Sequence, residues 1–92
     1  MIVYAECEYI ISTAHSLKEK RAVLQRMLTR TKQKFNVSIG ELDHQDVWQR
    51  TCIGIVTVAS DKVAAERELM HVIRFLDSNP EWERIEIRKE YL

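Results

Sequence analysis

Ninety-two residues with 46% apolar and 30% charged side chains make one domain (1–92) of ordinary globular mixture, which excludes a disordered or fibrous chain. Fourteen Lys and Arg balance fourteen Asp and Glu, so a uniformly basic nucleic-acid binder and an acidic solvating tail are both excluded. The balance hides a segregation, since residues 1–40 hold seven basic and three acidic groups and residues 41–92 seven and eleven.

Met1 to Ile11 alternates. Val3, Ala5, Cys7, Tyr9 and Ile11 form one fully apolar set, and Ile2, Tyr4, Glu6, Glu8 and Ile10 a mixed one, the period of a strand. The segment has no basic lead and carries two Glu, so it is not a signal peptide, and it is too short to span a bilayer. A cytoplasmic location is expected. Cys7 and Cys52 lie inside apolar runs, form no CxxC pair, and read as buried free thiols.

Ser16 followed by Glu19 is a capping-box signature, and no Gly or Pro interrupts the chain from there to Phe35. At helical pitch Leu17, Leu24, Met27, Leu28, Thr31 and Phe35 share one stripe, with Lys18, Ala22, Gln25, Arg26, Thr29 and Gln33 opposite. Lys20 and Arg21 flank the stripe, and Asn36 is expected to end the helix in a left-handed conformation. Seven cations against one acid make this segment the basic part of the chain. Lys18, Lys20, Arg21, Arg26 and Arg30 are its candidate phosphate contacts, because cations along one helix displace counterions from a polyanion.

Val37 to Leu42 alternates as a second strand, and Asp43 to Arg50 is a polar loop. In that loop Trp48, with Gln45, Gln49 and Arg50, forms either a lid folded back on the sheet, the favoured arrangement, or a recognition tip. Thr51 to Ala59 is apolar on both faces and therefore central. Ser60 or Asp61 caps a second helix reaching about Leu76, its buried stripe drawn through Ala65, Leu69, Met70, Val72, Ile73 and Leu76. Asp77 to Pro80 stops it. Glu83 to Tyr91 sets Ile85 and Ile87 against Arg84, Glu86, Arg88 and Glu90, an edge strand, with Trp82 plugging the sheet end.

The order strand–helix–strand–strand–helix–strand predicts an α+β, ferredoxin-like βαββαβ sandwich, with a four-stranded antiparallel sheet and both helices on one face. The segments Ala14-His15-Ser16-Leu17-Lys18-Glu19-Lys20-Arg21, Phe35 to Glu41 and Asp43 to Arg50, in this order and spacing, resemble the YlxP-like family of small bacterial proteins. That resemblance implies the same fold and a gene neighbourhood rich in translation factors. It carries over no catalytic residue.

Chemistry-bearing motifs are sparse. Only Gly40 and Gly54 are present, so there is no phosphate-cradling loop and no GxSxG. Ser16 beside His15 reads as a helix cap, and an enzyme is not expected. Asp43, His44, Asp46, Glu41 and His15 lack a metal-ligand spacing, so no metal, cofactor or small-molecule substrate is expected. Base stacking on the sheet is disfavoured, because the third strand has no aromatic and Glu6 and Glu8 would repel phosphates. The sequence therefore points to an RNA- or ribosome-associated accessory protein acting through its first helix. The alternative is a homodimer closed through the open sheet face, with Ile2, Tyr4, Ile10, Trp48 and Arg50 as contact residues.

Overall fold

In the computed structural model, which describes residues 1–92, β1 (Ile2–Ile10), α1 (Leu17–Lys34), β2 (Ser38–Asp43), β3 (Arg50–Val58), α2 (Lys62–Asp77) and β4 (Glu83–Tyr91) follow one another. The sheet order is β2-β3-β1-β4 with every pair antiparallel, which is the ferredoxin-like arrangement expected from the element order. The two strands apolar on one whole face, β1 and β3, are central.

Alternation decides which side of the sheet is dry. Val3, Ala5, Cys7 and Tyr9 of β1 and Thr51, Ile53, Ile55 and Thr57 of β3 face the helices and are buried. Against them α1 buries Val23, Leu24, Met27, Leu28 and Thr31, and α2 buries Ala65, Leu69, Val72, Ile73 and Leu76. Each such aliphatic side chain stabilises by roughly 1.5–3 kcal/mol through area removed from water. Trp82 closes the sheet end, its ring 4.3 Å from that of Tyr9 and its Nε1 donating to the Leu76 carbonyl at 2.7 Å. The Tyr9 hydroxyl in turn donates to Asp77 Oδ1 at 2.8 Å. Both thiols are buried and unpaired, and burial pushes Cys7 up to about 11.

The helix starts follow the sequence. Ser16 Oγ accepts from the Glu19 amide at 3.1 Å, while the Glu19 carboxylate accepts from the His15 amide at 2.7 Å. Asp61, rather than Ser60, caps α2 by accepting from Ala64 N.

Several local expectations fail for identifiable reasons. Asn36 is not left-handed, because α1 ends with Phe35 in extended backbone whose N–H still donates to the Thr31 carbonyl. The one left-handed non-glycine residue is His44, φ 67°, at the turn after β2. Met70 is exposed rather than in the buried stripe of α2. In β4 the alternation breaks at a register shift opposite Glu8 and Tyr9, which leaves Ile85 unpaired and 46% exposed. A second shift, between Glu41 and Asp43, bulges Leu42. Its side chain lies over Gly54, where any Cβ would come within 2.6 Å of it, so Gly54 is a packing requirement of the bulge.

Candidate nucleic-acid interface

Helix α1 carries its cations on three sides, and their environments differ. Lys20 points inward. It is fully buried, and its Nζ donates to the His44 carbonyl and pairs with Glu41 at 3.0 Å, while Thr51 Oγ1 donates to the same carboxylate at 2.6 Å. A buried ammonium survives only with such partners, and these hold the root of the β2–β3 loop. Lys20 is therefore withdrawn from the phosphate contacts expected of it: its stem reaches across the core margin and its charge is engaged inside. Arg26 is partly engaged as well, pairing with Glu81.

The remaining α1 cations are open to solvent. Lys18, Arg21, Arg30, Lys32 and Lys34 are exposed and make no ion pair. Lys18, Arg21 and Lys32 lie on the flank away from α2, and Arg30 and Lys34 on the flank toward it. On α2, Arg67 and Arg74 are likewise exposed and without an ion pair. Lys32 and Lys34, absent from the sequence-derived contact set, belong to this surface. The signal for Lys34 was the turn-by-turn spacing Arg26, Arg30, Lys34.

The open face of the sheet is built differently. Glu6 pairs with Arg88 at 2.9 Å, Arg88 also pairs with Glu86 at 2.9 Å, and Glu8 accepts from Arg50 and from His44 Nε2, the latter at 3.2 Å. The Arg88 guanidinium beside Glu6 and the Arg50 guanidinium beside Glu8 hold both carboxyls below the usual carboxylate range. Burial, with neighbouring Glu6 adding to it, pushes the Tyr4 hydroxyl up to about 12. This ionic band, three carboxylates against two guanidiniums, crosses the sheet and separates the apolar residues expected at a dimer contact. Ile2, Val56 and Val58 stand exposed at one end and Ile10 and Leu42 at the other, with Tyr4 half-buried near the first group.

The β2–β3 loop is tied down at its base and open at its tip. Gln49 Nε2 donates to the carbonyls of Ser12 and Ala14, both at 3.1 Å, and Ile11 N donates to Gln49 O at 2.9 Å. Trp48 is 51% exposed, so it is no lid. The stitching uses Gln49 and Lys20 instead, and the indole is left outside. Arg50, a contact residue of the alternative dimer and part of the less favoured recognition tip, is turned onto Glu8. Asp43, His44, Asp46, Glu41 and His15 do not converge, and no three ligating side chains lie close enough together to hold a metal. No helix is long and apolar enough to cross a membrane.

Residues 2–89 match the family model described as "Protein of unknown function (DUF503)". The chain belongs to that family. It is 58% identical over 91 residues to "Uncharacterized protein YlxP" of Bacillus subtilis (strain 168), covering 99% of both chains, in keeping with the YlxP-like motifs. Among solved structures it is similar to the de novo designed protein Foldit4, with a TM-score of 0.54 and 17% identity over 100% of this chain and 99% of that one. At that identity the likeness shows the fold alone. The family's description assigns no activity, so the surface chemistry carries the functional argument.

Proposed function

We propose that the protein is a binding module for RNA, with the free cations of α1 as its contact surface and ribosomal RNA as the partner to test first. The observation that supports this reading is that Lys18, Arg21, Arg30, Lys32 and Lys34 are all exposed and none is in an ion pair. From Lys18 to Lys32, on the flank away from α2, the helix rises about 21 Å, a span that meets several successive phosphates. Phosphate contacts of this kind supply affinity through counterion release and carry little sequence information. The sheet face used by many RNA-binding domains of this topology is the poorer surface here, because its carboxylates are fixed in place and β3 offers no ring for stacking.

Co-sedimentation with ribosomal subunits at low and moderate salt tests the proposal. The expected result is co-migration at low salt that is lost as salt rises, and that is abolished when Lys18, Arg21 and Lys32 are all changed to Glu. No co-migration and no RNA binding at low salt would defeat it.

A second reading has its own observation. Ile2, Val56 and Val58 are 40%, 38% and 65% exposed on neighbouring central strands, an apolar cluster that a second copy of the chain would cover. Light scattering across a concentration series should then show a dimer dispersed by Val56→Glu. A monomer at every concentration contradicts it.

A further inference from the structure

The groove between the two helices has chemistry that the outer flank of α1 lacks. A cavity of about 430 Å³ opens there, lined by Lys34, Phe35, His71, Arg74, Phe75 and Ser78. That volume falls within the range of small-ligand sites, and no carboxylate is among its walls. Phe35 and Phe75 meet edge to face, centroids 5.7 Å apart, and form an aromatic floor. A second depression, lined among others by Arg26, Arg30, Asn79 and Glu81, shares Phe75 and Ser78 with it. Its acid, Glu81, is paired with Arg26. Its wall also holds Asn79, whose Nδ2 is buried without a hydrogen-bond partner, a donor that nothing inside the protein satisfies.

We propose that this interhelical cleft takes one unpaired nucleotide of a bound RNA, a reading that rests on the RNA-binding function proposed above. The base lies against the Phe35–Phe75 floor, and its phosphate sits between the α1 cations Arg30 and Lys34 and the α2 cation Arg74. Lys34 Nζ stands 4.9 Å from the centre of the Phe75 ring, covering the face a base would use. An exposed cation–π contact is weaker than a base stacked on an aromatic ring. The base therefore displaces the ammonium, which is released toward the phosphate. Cations line the cleft from both helices and aromatic carbon forms its base, a combination that matches a nucleotide better than a bare phosphate, which would leave the rings unused. It also separates strand types: a paired base cannot leave its stack to enter, so duplex RNA is confined to the outer flank of α1.

The test titrates the whole protein with a ten-residue single-stranded oligouridine and with a blunt twelve-base-pair RNA duplex, reading backbone amide shifts and affinity. Single-stranded RNA should bind at least tenfold more tightly and shift the amides of His71, Phe75 and Ser78, whereas the duplex shifts mainly those of Lys18, Arg21 and Lys32. Arg74→Gln, on an exposed α2 side chain, should lower single-strand affinity about fivefold and leave duplex affinity unchanged. Phe75→Leu, which keeps an apolar side chain against the core, should remove the preference for single strands. Equal affinity for both RNAs, untouched by these substitutions, overturns the cleft while leaving phosphate binding by α1 standing. Binding of neither RNA overturns both. Shifts at the cleft produced by polyglutamate but not by oligouridine overturn the proposal in favour of an acidic protein partner.

Discussion

The open face of the sheet and the helical layer use their cations in opposite ways. On the sheet face Arg50 and Arg88 each have a carboxylate, and Glu6, Glu8 and Glu86 each have a guanidinium. On the helices Lys18, Arg21, Arg30, Lys32, Lys34, Arg67 and Arg74 have none. A neutral molecule can therefore present one face whose charges are paired, three carboxylates against two guanidiniums, and another that is positive. Net charge says little about partners when ion pairing removes one region's charges from the surface and leaves another's exposed. Arg26, paired with Glu81, and Lys20 are the exceptions on α1, and Lys20 is the instructive one, because one helix holds a cation the fold depends on within two residues of one free to act.

The comparison breaks most readily at Lys20. Lys20→Met strands the Glu41 carboxylate in a largely buried setting and should cost roughly 3 kcal/mol of stability in chemical denaturation. Adding Glu41→Gln should recover most of that loss. If Lys20→Met alone is neutral, the ammonium is not engaged as described.

A smaller effect is expected on the sheet face. Glu8→Gln weakens the contacts to Arg50 and His44 and should cost about 1 kcal/mol near neutral pH. The sign with pH follows from the lowered carboxyls: their stabilisation is present above the ordinary carboxyl value of 4.5 and is lost as pH falls through the lower folded-state values. Urea midpoints should hold near pH 6 and decline below about 4.5, with a shallower decline in Glu8→Gln. An unchanged profile in the variant would remove Glu8 from the acid response.

The smallest stability effect belongs to the helical layer. Changing Lys18, Arg21 or Lys32 singly to Gln should alter stability by less than about 0.5 kcal/mol, because none has a partner to lose. A larger loss in thermal melts would mean that these cations are structural, as Lys20 is.

The architecture was legible because alternation and capping are local signals. Ser16 with Glu19, the doubly apolar β3 and the stop at Asp77 to Pro80 place the elements within a residue or two. Facts that depend on tertiary neighbours were not legible. Helical pitch puts Lys20 at the stripe's edge, but only the approach of Glu41 and the His44 carbonyl makes burying it possible. The two register shifts, which free Ile85 and lay Leu42 over Gly54, leave no trace in a period-two pattern. Trp48 reads as a lid rather than a tip until Gln49 and Lys20 are seen to fasten the loop without it. In the site, Lys18, Arg21 and Arg30 were found from charge density alone. The cleft was not legible because no local pattern ties His71 and Arg74 of α2 to α1, and only the packing of the two helices brings them beside Lys34 and Phe75.

The measurement that bears most directly on the division between engaged and free cations is the salt dependence of RNA affinity. For the wild-type chain, log K against log salt should fall linearly, and neutralising Lys18, Arg21 and Lys32 together should reduce the slope by about two to three. Arg50→Gln with Arg88→Gln should leave the slope unchanged. A slope untouched by the helix substitutions, or moved equally by the sheet-face pair, would contradict the account.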